Sequence, residues 1–256
     1  LVPGLYGGYY PGYYDDVRDA FAAYGVECRT SSLVDGEGTV ETNAAAIARE
    51  VEEYHRETGK KIILIGVSSP DLLSKKSIDL LAGDSSLLVL TENTSNVYHP
   101  SFCNKIDQLI APLTNNELKE FRPEILITIG GMIISKKIKA ILRENKPNEH
   151  WHIGIHDAND TFFCLTKHFK TSPNNIIYKL YENFNDNGSD FYNKWDLVIS
   201  KRKEKHKEYL SNLIYCDFKV FDYVLNSIPS KSMLQVSNSS AIRYTQLFDL
   251  DSSINV

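Results

Sequence analysis

Residues 61–70, KIILIGVSSP, decide how this sequence is read. The apolar run Ile62–Ile65 ends at Gly66, which is typical of a buried parallel strand that leads into a turn. The same turn carries Ser68 in a Gly-x-Ser pattern, the first part of the nucleophile motif Gly-x-Ser-x-Gly. The stretch therefore allows two interpretations: Ser68 is a catalytic nucleophile, or it is an ordinary residue of a strand-to-helix turn.

Pro70 favours the second interpretation. A nucleophile elbow needs a small residue two positions after the serine, because strand and helix pass close to each other there. Proline adds bulk at that position and disfavours the helical conformation at Ser69. No acid–histidine pair stands out downstream. We therefore predict that Ser68 is a turn or helix-cap residue, and a hydrolase with Ser68 as nucleophile remains the alternative.

The pattern that follows this strand predicts an α/β fold. Apolar runs alternate with segments of helical spacing, which favours a doubly wound parallel sheet with helices on both faces. The further predicted strands are SLLVLTEN (86–93), ILITIGG (125–131) and HWHIGI (150–155), and the predicted helices are PDLLSKKSIDLLAG (70–83) and SKKIKAILREN (135–145).

A polar connector separates this sheet from a second unit. Residues 185–212 are charged and have helical character, with few apolar anchors such as Trp195. After them, CDFKVFDYVLNSIP (216–229) predicts an amphipathic helix. SMLQVSNSS (232–240) predicts a strand that runs into a turn, and AIRYTQLF (241–248) opens another helix. This pattern is typical of the start of a further α/β domain.

Composition excludes several classes of protein. The hydrophobic fraction of 42% supports a folded core, and the net charge of −5 gives no reason to expect nucleic acid as a partner. No apolar run reaches the roughly 18–20 residues of a membrane span. The four cysteines lie more than fifty residues apart without a Cys-x-x-Cys pair, so we expect reduced thiols and a cytoplasmic location.

The composition also changes along the chain. Residues 1–59 contain no lysine, whereas all 20 lysines lie in residues 60–256. One explanation is a subdomain whose surface is poor in basic residues. The sharper explanation is a composite chain, natural or artificial, whose pieces meet near ETGKKIILIG (57–66). Because the sequence lacks an initiator methionine, we expect an excerpt of a longer protein.

Two clusters are weak candidates for binding sites. His150, His152 and His156 would share one face of a strand, with Asp157 and Asp160 nearby, so a metal site is conceivable there; we predict none. The Gly-Gly turn of TIGGMIISKK (128–137) stands before a helix, where backbone N–H groups and a lysine at the helix start can meet an anion.

The segment SNSSAIR (237–243) is the best candidate. Asn238, Ser239 and Ser240 stand where a strand is predicted to become a helix, the position at which open α/β sheets bind ligands. Arg243 lies one turn further, where its guanidinium can hold a carboxylate in a bidentate manner. A capped helix with a surface arginine would show the same spacing.

From about Lys60 to Val256 the chain resembles the thiamine-diphosphate-dependent 2-succinyl-5-enolpyruvyl-6-hydroxy-3-cyclohexene-1-carboxylate synthases, the MenD family of menaquinone biosynthesis. The resemblance rests on segments that match in order: KKIILIGVSSP (60–70), LLVLTENTSNVYHPSF (87–102), IDQLIAPL (106–113), EILITIGGMIISKKIKAILRENKPNEHWHI (124–153), ANDTFFCLTKHFKT (158–171) and VSNSSAIRYTQLF (236–248).

The resemblance implies a domain organisation. It makes residues 60–182 similar to the central domain of thiamine-diphosphate enzymes, residues 183–215 a helical connector and residues 216–256 the beginning of the diphosphate-side domain. Residues 1–59 resemble instead the beginning of α/β-hydrolases, and we expect them to join the following sheet.

The resemblance also implies site residues and chemistry. Ser239 and Arg243 match family residues that hold substrate carboxylates, Asn238 adjoins them, and Lys136 matches a lysine that reaches the site from the central domain. The family decarboxylates 2-oxoglutarate on thiamine diphosphate, with Mg²⁺ or Mn²⁺, and adds the resulting carbanion to isochorismate. The family's catalytic glutamate and metal–diphosphate motif have no counterpart here, so we expect no catalytic, cofactor-binding or metal-binding residue in this chain and no turnover by it alone.

The resulting functional hypothesis is a fragment of a carboligating transferase, with a homo-oligomer like the family's as a further expectation. Two alternatives remain at this point. One is the α/β-hydrolase with Ser68 as nucleophile, and the other is a non-catalytic domain that serves assembly or effector binding.

Overall fold

The computed structural model describes residue 49 and residues 59–182, 188–251 and 253–254. The strands are β1 (Lys61–Ile65), β2 (Leu87–Thr91), β3 (Ile125–Ile129), β4 (Glu149–Ile153) and β5 (Lys167–Phe169). The helices are α1 (Lys75–Ala82), α2 (Ile106–Ile110), α3 (Asn115–Phe121), α4 (Lys136–Glu144), α5 (Pro173–Leu180), α6 (Phe191–Asn212), α7 (Asp217–Asn226) and α8 (Ser240–Thr245).

The strands form one parallel sheet in the order β2-β1-β3-β4-β5. The KIILI stretch is β1, which has a neighbour on each side and is buried over its whole length. After β1 the chain adds β2 on one side, and it then adds β3, β4 and β5 on the other side of β1. The strand order therefore reverses between β1 and β3, and the carboxyl ends of these two strands mark the switch point at which α/β sheets open a crevice. The α/β fold predicted from the sequence is confirmed.

Helices cover both faces of the sheet, because alternate residues of each strand point to opposite sides. One core lies between the sheet and helices α1 and α5, and it contains Ile63, Val89, Ile127, Trp151, Leu81 and Ile177. The other lies beneath α2, α3, α4 and α6, and it contains Ile62, Leu88, Leu126, Phe121, Ile138 and Trp195. Burial on both faces explains why the strands are nearly continuous apolar runs.

The predicted connector helix is anchored to this second core. Phe191 and Trp195 in the first turns of α6 are buried, and the Trp195 ring meets the Phe121 ring edge-to-face at 4.9 Å. The remainder of α6 is mostly exposed. The boundaries at residues 182 and 215 remain predictions.

A buried ion pair fastens the amino end of β1. The Lys61 ammonium lies 3.1 Å from the Asp84 carboxylate, and both side chains are fully buried. Asp84 also accepts hydrogen bonds from the Ser86 backbone N–H at 2.9 Å and from the Tyr181 hydroxyl at 2.6 Å. Although burial alone would raise the pKa of Asp84, Lys61 and these hydrogen bonds hold that pKa below its usual value.

Two local predictions are wrong, and one strand was missed. The helix expected from Pro70 begins only at Lys75, because Ser74 caps it by accepting the Ser77 N–H at 3.1 Å. Residues 232–240 form no strand of the sheet. The edge strand β5 was not predicted.

Several sequence predictions lie outside the described residues. They include the hydrolase-like character of residues 1–59, of which only residues 49 and 59 are described, the joining of that segment to the sheet, and Cys28. In the described ranges, Cys103, Cys164 and Cys216 are free thiols. No helix in those ranges is long and apolar enough to cross a membrane.

Candidate functional site

Two loops fill the switch point at the carboxyl ends of β1 and β3. Gly66 N–H donates to the Ile129 carbonyl at 3.0 Å, and Gly131 N–H donates to the Val67 carbonyl at 2.7 Å. A Cβ atom on Gly66 would lie 2.5 Å from the carbonyl oxygen of Gly131. Gly66 is therefore required by the close approach of the two loops.

Ser68 is a turn residue. Its backbone N–H donates to the Thr94 carbonyl at 3.0 Å, its hydroxyl donates to the Ser95 carbonyl, and its own carbonyl accepts from the Asn96 amide at 2.7 Å. The next helix, α1, begins seven residues later, so no nucleophile elbow forms. The turn interpretation is confirmed, and the hydrolase alternative is not favoured.

A carboxylate occupies the start of α4, beside the switch point. Glu92 directly follows β2 and is 4% exposed. One carboxylate oxygen accepts the N–H groups of Ile134 and Ser135 at 3.0 and 2.7 Å, and the other accepts the Ile134 N–H at 2.8 Å. At this weak candidate site the Ile134 and Ser135 N–H groups are therefore taken by a side chain of the protein.

Glu92 is one of three polar side chains that organise this helix start. Ser135 caps α4 by accepting the Ile138 N–H at 3.2 Å, and its hydroxyl donates to Asp107 of α2 at 2.5 Å. Burial raises the pKa of Glu92, and Asp107 raises it further, while the two N–H donors and Lys139 act in the opposite direction. The ends of β2, α2 and α4 are thus joined through side chains.

A cavity of about 360 Å³ lies next to this junction. Its walls come from the end of β2, from α2, from the start of α4, and from helices α6, α7 and α8. The lining residues that matter for ligand chemistry are Glu92, Lys105, Asp107, Lys137, His206, Tyr209, Phe218, Arg243 and Tyr244. The volume suits a small organic molecule, and the lining combines cations with aromatic rings.

The charges in the cavity are not equivalent. Lys105 is paired with Asp249 at 2.7 Å. In the part of the chain that the structure describes, neither Lys137 nor Arg243 lies within 4 Å of a carboxylate. Both are exposed side chains, one from the central segment and one from the segment after the connector. They are the two cations left to meet an anionic ligand.

An aromatic cluster holds the far wall of the cavity. The Phe218 ring lies 5.1 Å from the Tyr244 ring and 5.1 Å from the Phe248 ring, and the His206 ring lies 5.8 Å from it. These contacts join α6, α7 and α8. Burial lowers the pKa of His206, with Lys105 adding to the effect, which favours the neutral imidazole.

The structure brings only part of the predicted site together. Arg243 lines the cavity, whereas Lys136, Asn238 and Ser239 are exposed and do not line it. The adjacent Lys137 does. Ser239 has φ +73° and ψ −128°, a backbone conformation that strains a residue other than glycine, and its N–H donates to the Asn238 side chain at 2.7 Å.

The histidines of β4 form a polar chain along the sheet. Thr128 Oγ1 lies 3.0 Å from His150 Nε2 and 3.0 Å from His152 Nδ1. Burial lowers the pKa of His150 to about 4, with opposing attraction from Asp160. The described residues contain no group of three or more His, Cys, Asp or Glu side chains arranged to hold a metal ion.

Glu92, Lys105, Asp107 and Lys137 were missed by sequence reasoning. Glu92 carried a usable signal, since an acidic residue directly after a buried parallel strand stands at the ligand-binding edge of the sheet. Lys137 could not be distinguished from Lys136 without the phase of α4.

The fold is a parallel α/β sheet with a cavity beside the carboxyl end of β2. No family model matches the chain. Comparison with curated proteins is more specific. The chain is 45% identical over 218 residues to a protein of Flavobacterium johnsoniae, 48% over 198 residues to one of Flavobacterium psychrophilum, and 36% over 216 residues to one of Christiangramia forsetii. Each of these proteins is named 2-succinyl-5-enolpyruvyl-6-hydroxy-3-cyclohexene-1-carboxylate synthase.

Most of the chain is homologous to these synthases, as its sequence indicated. The matches cover 85%, 77% and 81% of the chain but only 39%, 36% and 37% of the relatives, so the chain spans a little over a third of their length. Residues 60–256 number 197, fewer than the 218 residues of the first match, which therefore takes in at least 21 residues before Lys60. The change of composition near residue 60 is thus not the limit of that match.

Proposed function

We propose that this chain is the central part of a synthase of this family and supplies the part of the active site that holds substrate carboxylates. The carrying observation is that Lys137 and Arg243, which come from opposite sides of the connector, line one cavity without a carboxylate partner among the described residues. The substrates proposed for the whole enzyme, 2-oxoglutarate and isochorismate, are both carboxylates.

The cavity favours such ligands for two physical reasons. A guanidinium can donate two parallel hydrogen bonds to a carboxylate, and a neighbouring ammonium adds charge without fixing the geometry. The rings of Tyr209, Phe218 and Tyr244 lower the local polarity, which strengthens both interactions. Lys136, Asn238 and Ser239 remain part of the proposal as residues at the rim, where a partner domain or a ligand can complete the site.

Among the described residues we assign no ligand to thiamine diphosphate or to its Mg²⁺ or Mn²⁺ ion. In this proposal they are bound by parts of the enzyme that correspond to the remaining length of the relatives, and they supply the decarboxylation chemistry. The described residues of this chain would bind and orient substrate. We accordingly expect the chain alone to release no CO₂ from 2-oxoglutarate in the presence of thiamine diphosphate and Mg²⁺. Measurable turnover would contradict this division of roles.

Binding by the chain itself tests the proposal. Isotopically labelled chain is titrated with 2-oxoglutarate and, separately, with isochorismate, and nuclear magnetic resonance follows its backbone and arginine side-chain signals. We expect saturable shifts at Lys137 and Arg243, weakened about tenfold by Lys137→Ala or Arg243→Ala, as for the loss of a charge-assisted hydrogen bond. Lys119→Ala, an exposed lysine of α3 that does not line the cavity, is the matched control. Equal weakening by the control, or no saturable shift at Arg243, would refute the proposal.

A further inference from the structure

The most heavily buried acid at the candidate site is Glu92, and its surroundings indicate more than a structural role. It lines the cavity and is 4% exposed, and its carboxylate accepts hydrogen bonds from the N–H groups of Ile134 and Ser135. Those two residues directly precede α4. Lys137 is the second residue of that helix and faces the same cavity.

We propose that Glu92 is a positioning residue, whose carboxylate fixes the first turn of α4 and thereby holds the Lys137 ammonium at the cavity. The role of Lys137 in meeting a carboxylate ligand rests on the proposed function. The positioning by Glu92 is a property of the chain's own backbone, and it is measurable without any ligand.

The geometry explains why a carboxylate is needed at this position. One oxygen accepts from both N–H groups, at 3.0 and 2.7 Å, and the second accepts from Ile134 at 2.8 Å. A glutamine amide has only one acceptor oxygen. In one orientation its NH₂ group faces the Ser135 N–H, which loses its acceptor. In the other, a single neutral oxygen accepts both N–H groups while the NH₂ group lies against the Ile134 N–H.

The other charged groups around the cavity do not replace Glu92. On α2, Asp107 accepts the Ser135 hydroxyl, and Lys105 just before that helix is paired with Asp249. On α4, Lys139 attracts the Glu92 carboxylate electrostatically. His206 of α6 and Arg243 of α8 line the opposite walls. Glu92 is the acid among them that contacts the backbone immediately before Lys137.

Glu124 provides a matched control. Its carboxylate also accepts two backbone N–H groups, those of Gly59 and Lys60, both at 3.2 Å. It precedes β3 and therefore lies at the amino end of the sheet, whereas Glu92 follows β2 at the carboxyl end. Glu124→Gln likewise replaces a carboxylate that accepts two backbone N–H groups, but at a place remote from the cavity.

The first measurement is hydrogen exchange on the full chain. We expect Glu92→Gln to accelerate exchange at Ile134 and Ser135 by at least about tenfold, because these N–H groups lose a charged acceptor. Glu124→Gln should leave both rates unchanged. If Glu92→Gln does not fold, Glu92→Asp keeps the charge but withdraws it by one methylene, and a smaller acceleration at the same two residues is expected. Unchanged exchange in the folded variant would overturn the proposal.

The second measurement is a double-mutant cycle with 2-oxoglutarate as the probe. Glu92→Gln should raise the dissociation constant about tenfold in the parent chain and less than about twofold in a Lys137→Ala background, since its effect passes through Lys137. An equal loss in both backgrounds would overturn the positioning role. If the parent chain binds no 2-oxoglutarate, the proposed function fails, and the exchange rates alone decide whether Glu92 positions α4.

Discussion

Asp84→Asn tests how strongly the buried ion pair at the start of β1 stabilises the fold. The Lys61 ammonium and the Asp84 carboxylate are 3.1 Å apart with both side chains fully buried. Removing one partner of such a pair typically costs about 3–5 kcal/mol, because the other charge is left uncompensated. An asparagine still accepts from Ser86 or Tyr181, so most of the loss arises from Lys61. We therefore expect Asp84→Asn to lower the free energy of unfolding by about 3–5 kcal/mol.

Urea denaturation monitored by tryptophan fluorescence measures this change. The double variant Lys61→Met/Asp84→Asn should recover about 2 kcal/mol or more, since it removes the buried ammonium as well. Asp79→Asn, an exposed acid on α1, is the control and should stay within about 0.5 kcal/mol of the parent. A double variant as unstable as Asp84→Asn alone would refute the reasoning that buried charge causes the loss.

The same pair makes a pH prediction. The folded-state pKa of Asp84 is lowered, so its contribution to stability is present above the unfolded-state value near 3.8 and is lost as the pH falls through the lower folded-state value. The parent should therefore lose stability below about pH 4 more steeply than the double variant. Parallel curves for the two proteins in this range would contradict the assignment.

Three further predictions concern the loops and the sheet. Gly66→Ala should lower the free energy of unfolding by about 2–3 kcal/mol in urea denaturation, because its Cβ would meet the Gly131 carbonyl oxygen at 2.5 Å. Gly83→Ala, whose nearest contact would be at 3.6 Å, is the control and should lower it by less than about 0.5 kcal/mol; equal effects would contradict the packing argument. Ser239→Gly should raise the unfolding free energy by about 1 kcal/mol by relieving the φ of +73°, and a loss of stability would show that the strain is not there. Burial lowers the pKa of His150 to about 4, so the free energy of unfolding should fall by about 2 kcal/mol between pH 7 and pH 5. His150→Gln should remove most of this pH dependence, and an unchanged pH dependence would contradict the assignment to His150.

The sheet was predictable because its physical cause is local. β1 to β3 are apolar runs, and a strand covered on both faces must be apolar at nearly every position. β5 has only three residues, all partly exposed at the edge of the sheet, so it carries no such signal. The start of α1 was misplaced because Pro70 resembles a first helical residue, while the cap is made by Ser74 through a contact that only the folded chain shows.

The candidate site was predictable only in part. Arg243 follows from the segment that contains it and from the family resemblance. The cavity itself joins Glu92, Lys137 and Arg243, which are separated by 45 and 106 residues along the chain, and no local pattern encodes that meeting. The distinction between Lys136 and Lys137 depends on the phase of α4, which Glu92 helps to fix.

The most direct test of the central claim transfers the segment into a complete enzyme. Residues 60–256 replace the corresponding part of the Flavobacterium johnsoniae synthase, and product formation is followed at varied 2-oxoglutarate and isochorismate. We predict turnover by the hybrid, with Arg243→Ala or Lys137→Ala raising the KM of at least one substrate about tenfold and Lys119→Ala leaving both unchanged. A folded hybrid without turnover, or one whose KM values are unchanged by both substitutions, would contradict the account.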